Sequence, residues 1–197
     1  MIHYWFDWDW PAAETAYRSA IDLDPTYSLA YRSLGILLGQ TGRHSEAQTA
    51  TRRARALDPF LTAHHALSAQ VALSGRDYPA ALQFARQAIA IDPEPEHGHF
   101  QAAQAAEQLG EFQLALNELR LAVRFSAGSS RTIALRGYVL ARMGRTDEAR
   151  EVLKGLEALS REQYVPPSAI AIVYTGLSER LTALEWLNVP IRRAMFT

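Results

Sequence analysis

Small apolar residues return along this chain at a constant interval. Ala13, Ala47, Ala81, Ala115, Ala149 and Ala183 stand 34 residues apart, and Ala20, Ala54, Ala88 and Ala122 run in phase with them. Polar stops share the spacing, at Asp24-Pro25, Asp58-Pro59 and Asp92-Pro93. Self-similarity at this period predicts stacked helical hairpins, because each unit can bury its apolar face only against its neighbours. A glycine lies five residues upstream of three ladder alanines, at Gly42, Gly110 and Gly144. Glycine takes up the left-handed backbone that ends a helix at little cost, so each marks a tight turn between two helices.

The pattern therefore predicts helix, short turn, helix, short turn, with helices of about 12–15 residues. In the third unit, Gly75-Arg76-Asp77-Tyr78-Pro79-Ala80-Ala81 predicts one extra loop residue, with Pro79 in the first turn of the second helix. Each Asp-Pro pair is expected to cap the helix after it: the Asp side chain takes its free amides and Pro occupies its first position. The stretch Phe125-Ser126-Ala127-Gly128-Ser129-Ser130 lacks that Pro, so Ser126 or Ser129 is the expected cap there. The alanines let paired helices approach closely, and a bulky residue at Ala81 or Ala115 would cost about 1–3 kcal/mol in overpacking.

These residues resemble the tetratricopeptide repeat over nearly the whole chain. Tyr31, Leu34-Gly35, Leu38, Ala47, Ala54 and Pro59 carry the pattern best. The unit from Ile133 keeps Gly137, Leu140, Ala149 and Leu153, with Arg161 in place of the closing Pro. The resemblance implies an all-α fold, a right-handed superhelical solenoid of antiparallel helix pairs, with about five repeats plus partial end units. It implies a single domain over 1–197. A partial first repeat covers 1–25, repeats cover 26–59, 60–93, 94–127 and 128–161, a terminal repeat covers 162–189, and 190–197 form a non-repeat tail. Met1 falls near the middle of the first unit's first helix, which suits a fragment, a mis-started reading frame or a degenerate relative. Mainly the second helix of that unit is expected, over roughly Pro11 to Leu23. Pro190, on an alanine ladder position, should end the last helix near Asn188.

A narrower resemblance sits at the two ends. Phe6-Asp7-Trp8-Asp9-Trp10, then Ala13-Glu14, Tyr17, Ala20-Ile21 and Pro25, is similar to bacterial tetratricopeptide arrays attached to signalling proteins. These include winged-helix regulators, nucleotide cyclases and Ser/Thr kinases. Tyr164-Val165-Pro166-Pro167, Ile170-Ala171, Tyr174 and Ala183-Leu184-Glu185-Trp186-Leu187 resemble the last repeat of the same arrays.

The resemblance lines a concave groove with the first helix of each pair. It places Arg32, Ile36, Gln40, Gln70, His97, Phe100, Gln104, Glu107, Gln108, Arg131, Tyr138 and Arg142 on or near that face. Gln, Arg and aromatic side chains suit an extended peptide, offering hydrogen bonds to its backbone and flat surfaces to its side chains. Chaperone-binding members hold a terminal carboxylate with a Lys/Asn clamp, and Ile36 stands where that clamp would need Asn. The aromatic start, Trp5, Phe6, Trp8 and Trp10, is a second candidate surface. With the first helix truncated, these rings either fold back on the helix from Pro11 or stay open and drive self-association into a homodimer through the solenoid ends.

Composition narrows the chemistry. A net charge of −1 gives no bulk attraction to nucleic acid or to an acidic membrane. The chain has no cysteine, which excludes disulfides and thiolate metal sites and fits a cytoplasmic protein. The N-terminus lacks the basic start and apolar middle of a signal peptide. Of the 20 basic residues only Lys154 is Lys, a bias that suits a GC-rich bacterial genome better than an anion-recognition surface. Arg52-Arg53-Arg55, the one dense basic run, is expected to be a solvated convex face. His64-His65 and His97-Gly98-His99 lack the companion ligands of a metal site and are expected to be solvated. No phosphate loop, nucleophile elbow or metal-protease helix occurs, so neither catalysis nor a cofactor is expected. The expected function is a non-catalytic scaffold that binds a protein or peptide partner. The alternatives are a sensory module of a bacterial signalling protein and a self-associating structural piece.

Overall fold

The computed structural model describes residues 9–93, 96–126 and 128–188. Among them are eleven α-helices and no strand. In chain order these are α1 (Trp10–Leu23), α2 (Ser28–Gln40), α3 (His44–Leu57), α4 (Thr62–Ser74), α5 (Tyr78–Ile91) and α6 (Glu96–Gln108). Then follow α7 (Phe112–Phe125), α8 (Ser130–Arg142), α9 (Thr146–Leu159), α10 (Pro167–Gly176) and α11 (Arg180–Leu187). The fold is all-α, a run of helix pairs that α1 precedes as a single second helix. The chain divides into two compact units, 1–105 and 106–197.

In the first unit α1, α2, α3 and α4 share one apolar core. Ala13 and Tyr17 from α1, Leu34, Leu37 and Leu38 from α2, Ala47 and Ala50 from α3, and Leu67 and Val71 from α4 are all buried in it. Each buried Leu contributes about 1.5–3 kcal/mol. In the second unit Ala134 of α8, Leu153 and Leu156 of α9, and Ile170 and Val173 of α10 form the corresponding core. Trp186 of α11 packs against it.

The small residues sit where helices touch. Ala13, Ala47, Ala81, Ala115 and Ala149 are fully buried. Gly35 and Gly137 occupy one repeat position and are tighter still. A Cβ on Gly35 would lie 2.8 Å from Thr51 Cγ2, and one on Gly137 2.9 Å from Val152 Cγ1 and 3.0 Å from Val173 Cγ2. Ala69 and Ala103, in the same register, are also fully buried.

The turns repeat with equal strictness. Gly42, Gly110 and Gly144 all have φ between 76 and 79°. The third unit follows the same plan with no extra loop residue: Ser74 ends α4 and Tyr78 begins α5, as Gln40 and His44 do one repeat earlier. Its left-handed residue is Arg76 (φ 60°) rather than Gly75. Pro79 lies in the first turn of α5, and the Asp77 carboxylate accepts the Ala80 amide at 3.2 Å. Asp9 caps α1 in the same way, taking the Ala12 amide at 3.0 Å.

The Asp-Pro pairs work differently from the expectation. Asp24, Asp58 and Asp92 close the helix before them, each backbone N–H reaching the carbonyl four residues back. Asp24 then accepts from Thr26 N at 2.9 Å and Thr26 Oγ1 at 2.6 Å, so its side chain holds the turn and not the next helix. Pro25 therefore stands outside both helices, where its missing N–H leaves no helix bond unmade. At the Pro-less junction Ser126 Oγ accepts from Ser129 N at 3.2 Å, while Ser129 occupies the N-cap position of α8 with no side-chain bond. Ala127, Pro190 and the tail at 190–197 lie outside the described residues, and α11 ends at Leu187 with Asn188 as its C-cap.

Gly137→Val should destabilise the chain by about 1–3 kcal/mol in urea unfolding, because Val152 and Val173 leave no room for the branch. Arg76→Gly should stabilise it by up to about 1 kcal/mol by relieving a left-handed non-glycine residue. Equal midpoints for both variants and the parent would contradict this account of the packing.

Candidate binding groove

The first helices of three successive pairs, α2, α4 and α6, enclose a groove of about 570 Å³ within the first unit. Arg32, Ile36 and Gln40 come from α2, Thr62, Ala63, Ala66, Leu67 and Gln70 from α4, and His97, Gly98 and Gln101 from α6. Spacings of three and four residues put each helix's contribution on one face. The 34-residue register then lays the three faces side by side. Arg32, Ile36, Gln40, Gln70 and His97 were candidates from the sequence, whereas Gln101 was not. Its signal was available: it lies one helical turn beyond His97 on the same face.

The floor is apolar and the polar groups on it are not all satisfied. Gln101 is only 8% exposed, yet its Oε1 has no hydrogen-bond donor. The Nε of Arg32 is likewise buried with no acceptor. Beside Arg32 lies His64, fully buried, with neither ring nitrogen bonded. Burial first, and then the positive charge of Arg32, hold the His64 imidazole below its usual value. Asp58 opposes that shift, while His65 and Arg55 add to it.

Other expected positions fall elsewhere. Phe100 is buried, at 6% exposure, and Gln104 is half-buried. In the second unit Glu107, 3% exposed, accepts from Arg142 Nη1 at 2.9 Å and from Gln108 Nε2 at 2.6 Å. Arg142 also donates to Tyr138 Oη at 3.0 Å, and its guanidinium lies over Phe112 (5.5 Å) and Tyr138 (5.7 Å). The Tyr138 hydroxyl, and after it Glu107, raise the Arg142 pKa further above its usual value. Glu107, Tyr138 and Arg142 thus form a closed cluster, while Arg131 is exposed at the start of α8. Trp5, Phe6 and Trp8 lie outside the described residues, and Trp10 is 40% exposed at the start of α1.

A second cavity of the first unit, about 550 Å³, opens between α1 and α3 over α2. Its Arg18 is already paired. Arg18 meets Glu14 at 2.7 Å and Glu46 at 3.5 Å, and Arg53 lies 5.9 Å from the Tyr31 ring centre.

Histidines and arginines expected in solvent turn out to serve the scaffold. His65 Nε2 donates to the Pro59 carbonyl at 2.8 Å, and its Nδ1 meets the Gln87 side-chain amide at 3.1 Å. One repeat later His99 Nε2 reaches the Pro93 carbonyl at 3.2 Å. Both rings are buried and tie the Asp-Pro turn to the next helix. Arg52 and Arg53 are exposed, but Arg55 is half-buried, stacked 4.1 Å from the Phe84 ring centre and bonded to Ser68 Oγ. No three His, Asp or Glu side chains gather as a metal-binding group among the described residues. No helix among them is long and apolar enough to cross a membrane.

Comparisons with known proteins agree with this architecture. A tetratricopeptide-repeat family profile matches residues 16–49. Tetratricopeptide repeat protein 36 of Danio rerio is 31% identical over 109 residues, which are 53% of this chain and 58% of the relative. The chain thus spans a little over half the length of that curated relative. Among solved structures, YrrB, described as a tetratricopeptide-repeat protein with an unusual peptide-binding site, superposes with a TM-score of 0.63 at 20% identity, covering 88% of this chain and 89% of that one. MamA from Desulfovibrio magneticus gives 0.73 at 16% identity, over 80% and 89%. TTC0263, a thermophilic tetratricopeptide-repeat protein of Thermus thermophilus, gives 0.67 at 26% identity, over 81% and 87%.

Because His64 has a lowered native pKa, the unfolded chain takes up that proton first as the pH falls. The stability tied to neutral His64 is full above about pH 6.5 and is lost as the pH drops through that value toward the lower folded pKa. The melting temperature should fall between about pH 7.5 and about pH 5.5, and His64→Leu should flatten that slope. A slope unchanged by His64→Leu would show that other groups govern the dependence.

Proposed function

We propose that this chain, a tetratricopeptide-repeat protein, is a non-catalytic scaffold that holds a peptide or a partner's extended segment along its first helices. The observation that carries the reading is the groove of the first unit. It combines an apolar floor (Ile36, Ala63, Ala66, Leu67) with hydrogen-bonding groups from three helices (Arg32, Gln70, Gln101). An extended segment presents alternating side chains and unpaired backbone groups, and a groove of this make-up matches both. YrrB, whose fold the chain shares, is described as having a peptide-binding site, which supports the same class of ligand here.

Tyr138 carries the proposal to the second unit, where the phenol ring, half-buried on α8, offers a flat contact surface while Arg142 is engaged by Glu107. Aromatic and arginine side chains dominate binding energy at such surfaces. Binding in the cytoplasm, with no nucleic acid or membrane partner, completes the reading.

The test is affinity capture from the source cell with the parent chain and with Arg32→Glu/Tyr138→Ala. A partner retained by the parent and reduced at least about tenfold with the double variant, a loss of about 1.4 kcal/mol, is the expected result. A partner held equally by both would place binding away from the groove.

A further inference from the structure

The first-unit groove leaves one cation and one buried acceptor without partners, and the pair specifies a ligand. Arg32 makes no ion pair among the described residues, and its Nε is buried without an acceptor. Gln101 lines the same groove from α6 and has a buried Oε1 without a donor. Leaving such a group unmade is costly, more so when it is charged, so an occupant that satisfies both is favoured beyond its other contacts. Among the described residues Arg32 is the one arginine whose guanidinium has a buried nitrogen without an acceptor. Arg142 is closed by Glu107, and Arg18 of the opposite cavity is closed by Glu14.

We infer that the first-unit groove takes an extended peptide segment bearing an acidic side chain, with its carboxylate on Arg32, a main-chain N–H on Gln101 and a small aliphatic side chain on Ile36 and Ala66. The inference rests on the groove reading above and names its ligand class. A carboxylate supplies the charge-assisted acceptor that the guanidinium lacks. The neighbouring peptide N–H supplies the donor that Gln101 lacks, and among the described residues no Asp or Glu lines the groove to repel the incoming charge. A neutral segment would leave Arg32 unpaired in a drier site than before, and a basic segment would be repelled by it. The same carboxylate could come from a peptide's C-terminus. Ala63 and Ala66 are small and leave room on the floor for a strand to run through, so an internal side chain is the assigned source.

The test uses the full chain, immobilised, and a positional-scanning library of nonapeptides that are N-acetylated and C-amidated, so that only side chains carry carboxylates. Asp or Glu should be enriched at one position. In fluorescence anisotropy the selected peptide should bind at least about tenfold more tightly than its Glu→Gln counterpart. Arg32→Gln should erase that preference and Arg32→Lys should restore part of it. Gln101→Leu should weaken both peptides alike. Selection of peptides only from a matching free-acid library would overturn the side-chain assignment in favour of a chain end. Equal affinity for the Glu and Gln peptides, lost on filling the groove with Ala66→Trp, would overturn the acidic ligand and leave the groove reading standing. Binding indifferent to Ala66→Trp, or no selected peptide in either library, would overturn both.

Discussion

Close approach of helix backbones at small residues is the constraint on which this molecule depends. Ala13, Ala47, Ala81, Ala115 and Ala149 have no exposed surface, and Gly35 and Gly137 leave less than an ordinary Cβ contact distance to their neighbours. Each pair therefore repeats the geometry of the one before it, down to the left-handed residue at 42, 76, 110, 144 and 178. The groove is a consequence. When first helices recur in fixed register, residues that share a helix face, such as Arg32 with Ile36 and His97 with Gln101, align with their counterparts on neighbouring helices.

That scaffold separates two kinds of polar group. His65, His99, Arg55 and Glu107 have protein partners and hold elements together. Glu107 is buried, so removing its partner Arg142 leaves a buried charge uncompensated, and these groups are bound to the architecture. Arg32, His64 and Gln101 carry buried atoms without partners. Polar atoms left unmet in a protein interior are costly, and two of these residues, Arg32 and Gln101, line the groove, whereas none among the described residues lines the opposite cavity.

The helical pairs and the tight turns were legible from the period, and five of the groove positions from the family resemblance. What the sequence hid depends on contacts between distant residues or on which neighbour claims a side chain. Asp24 looks like a cap for the following helix, but Thr26 lies two residues away and captures its carboxylate. The glycine at 75 suggested a longer loop, yet the backbone keeps the register and puts the left-handed φ on Arg76. The histidines were expected in solvent because they lack the companion ligands of a metal site and histidines at loops and helix starts are usually solvated. The signal for their burial was the 34-residue offset between His65 and His99, each six residues past a turn proline. Arg142 looked available for a ligand, and only the fold brings it to a carboxylate 35 residues away.

Photo-crosslinking in the source cell tests most directly where this chain binds. A benzophenone amino acid placed at Gln70, exposed on the groove, should give a discrete crosslinked partner, and the same group at Thr49, exposed on the opposite cavity, should give none. A partner crosslinked from position 49 and not from position 70 would contradict the account, because the groove built by α2, α4 and α6 would then not be the surface in use.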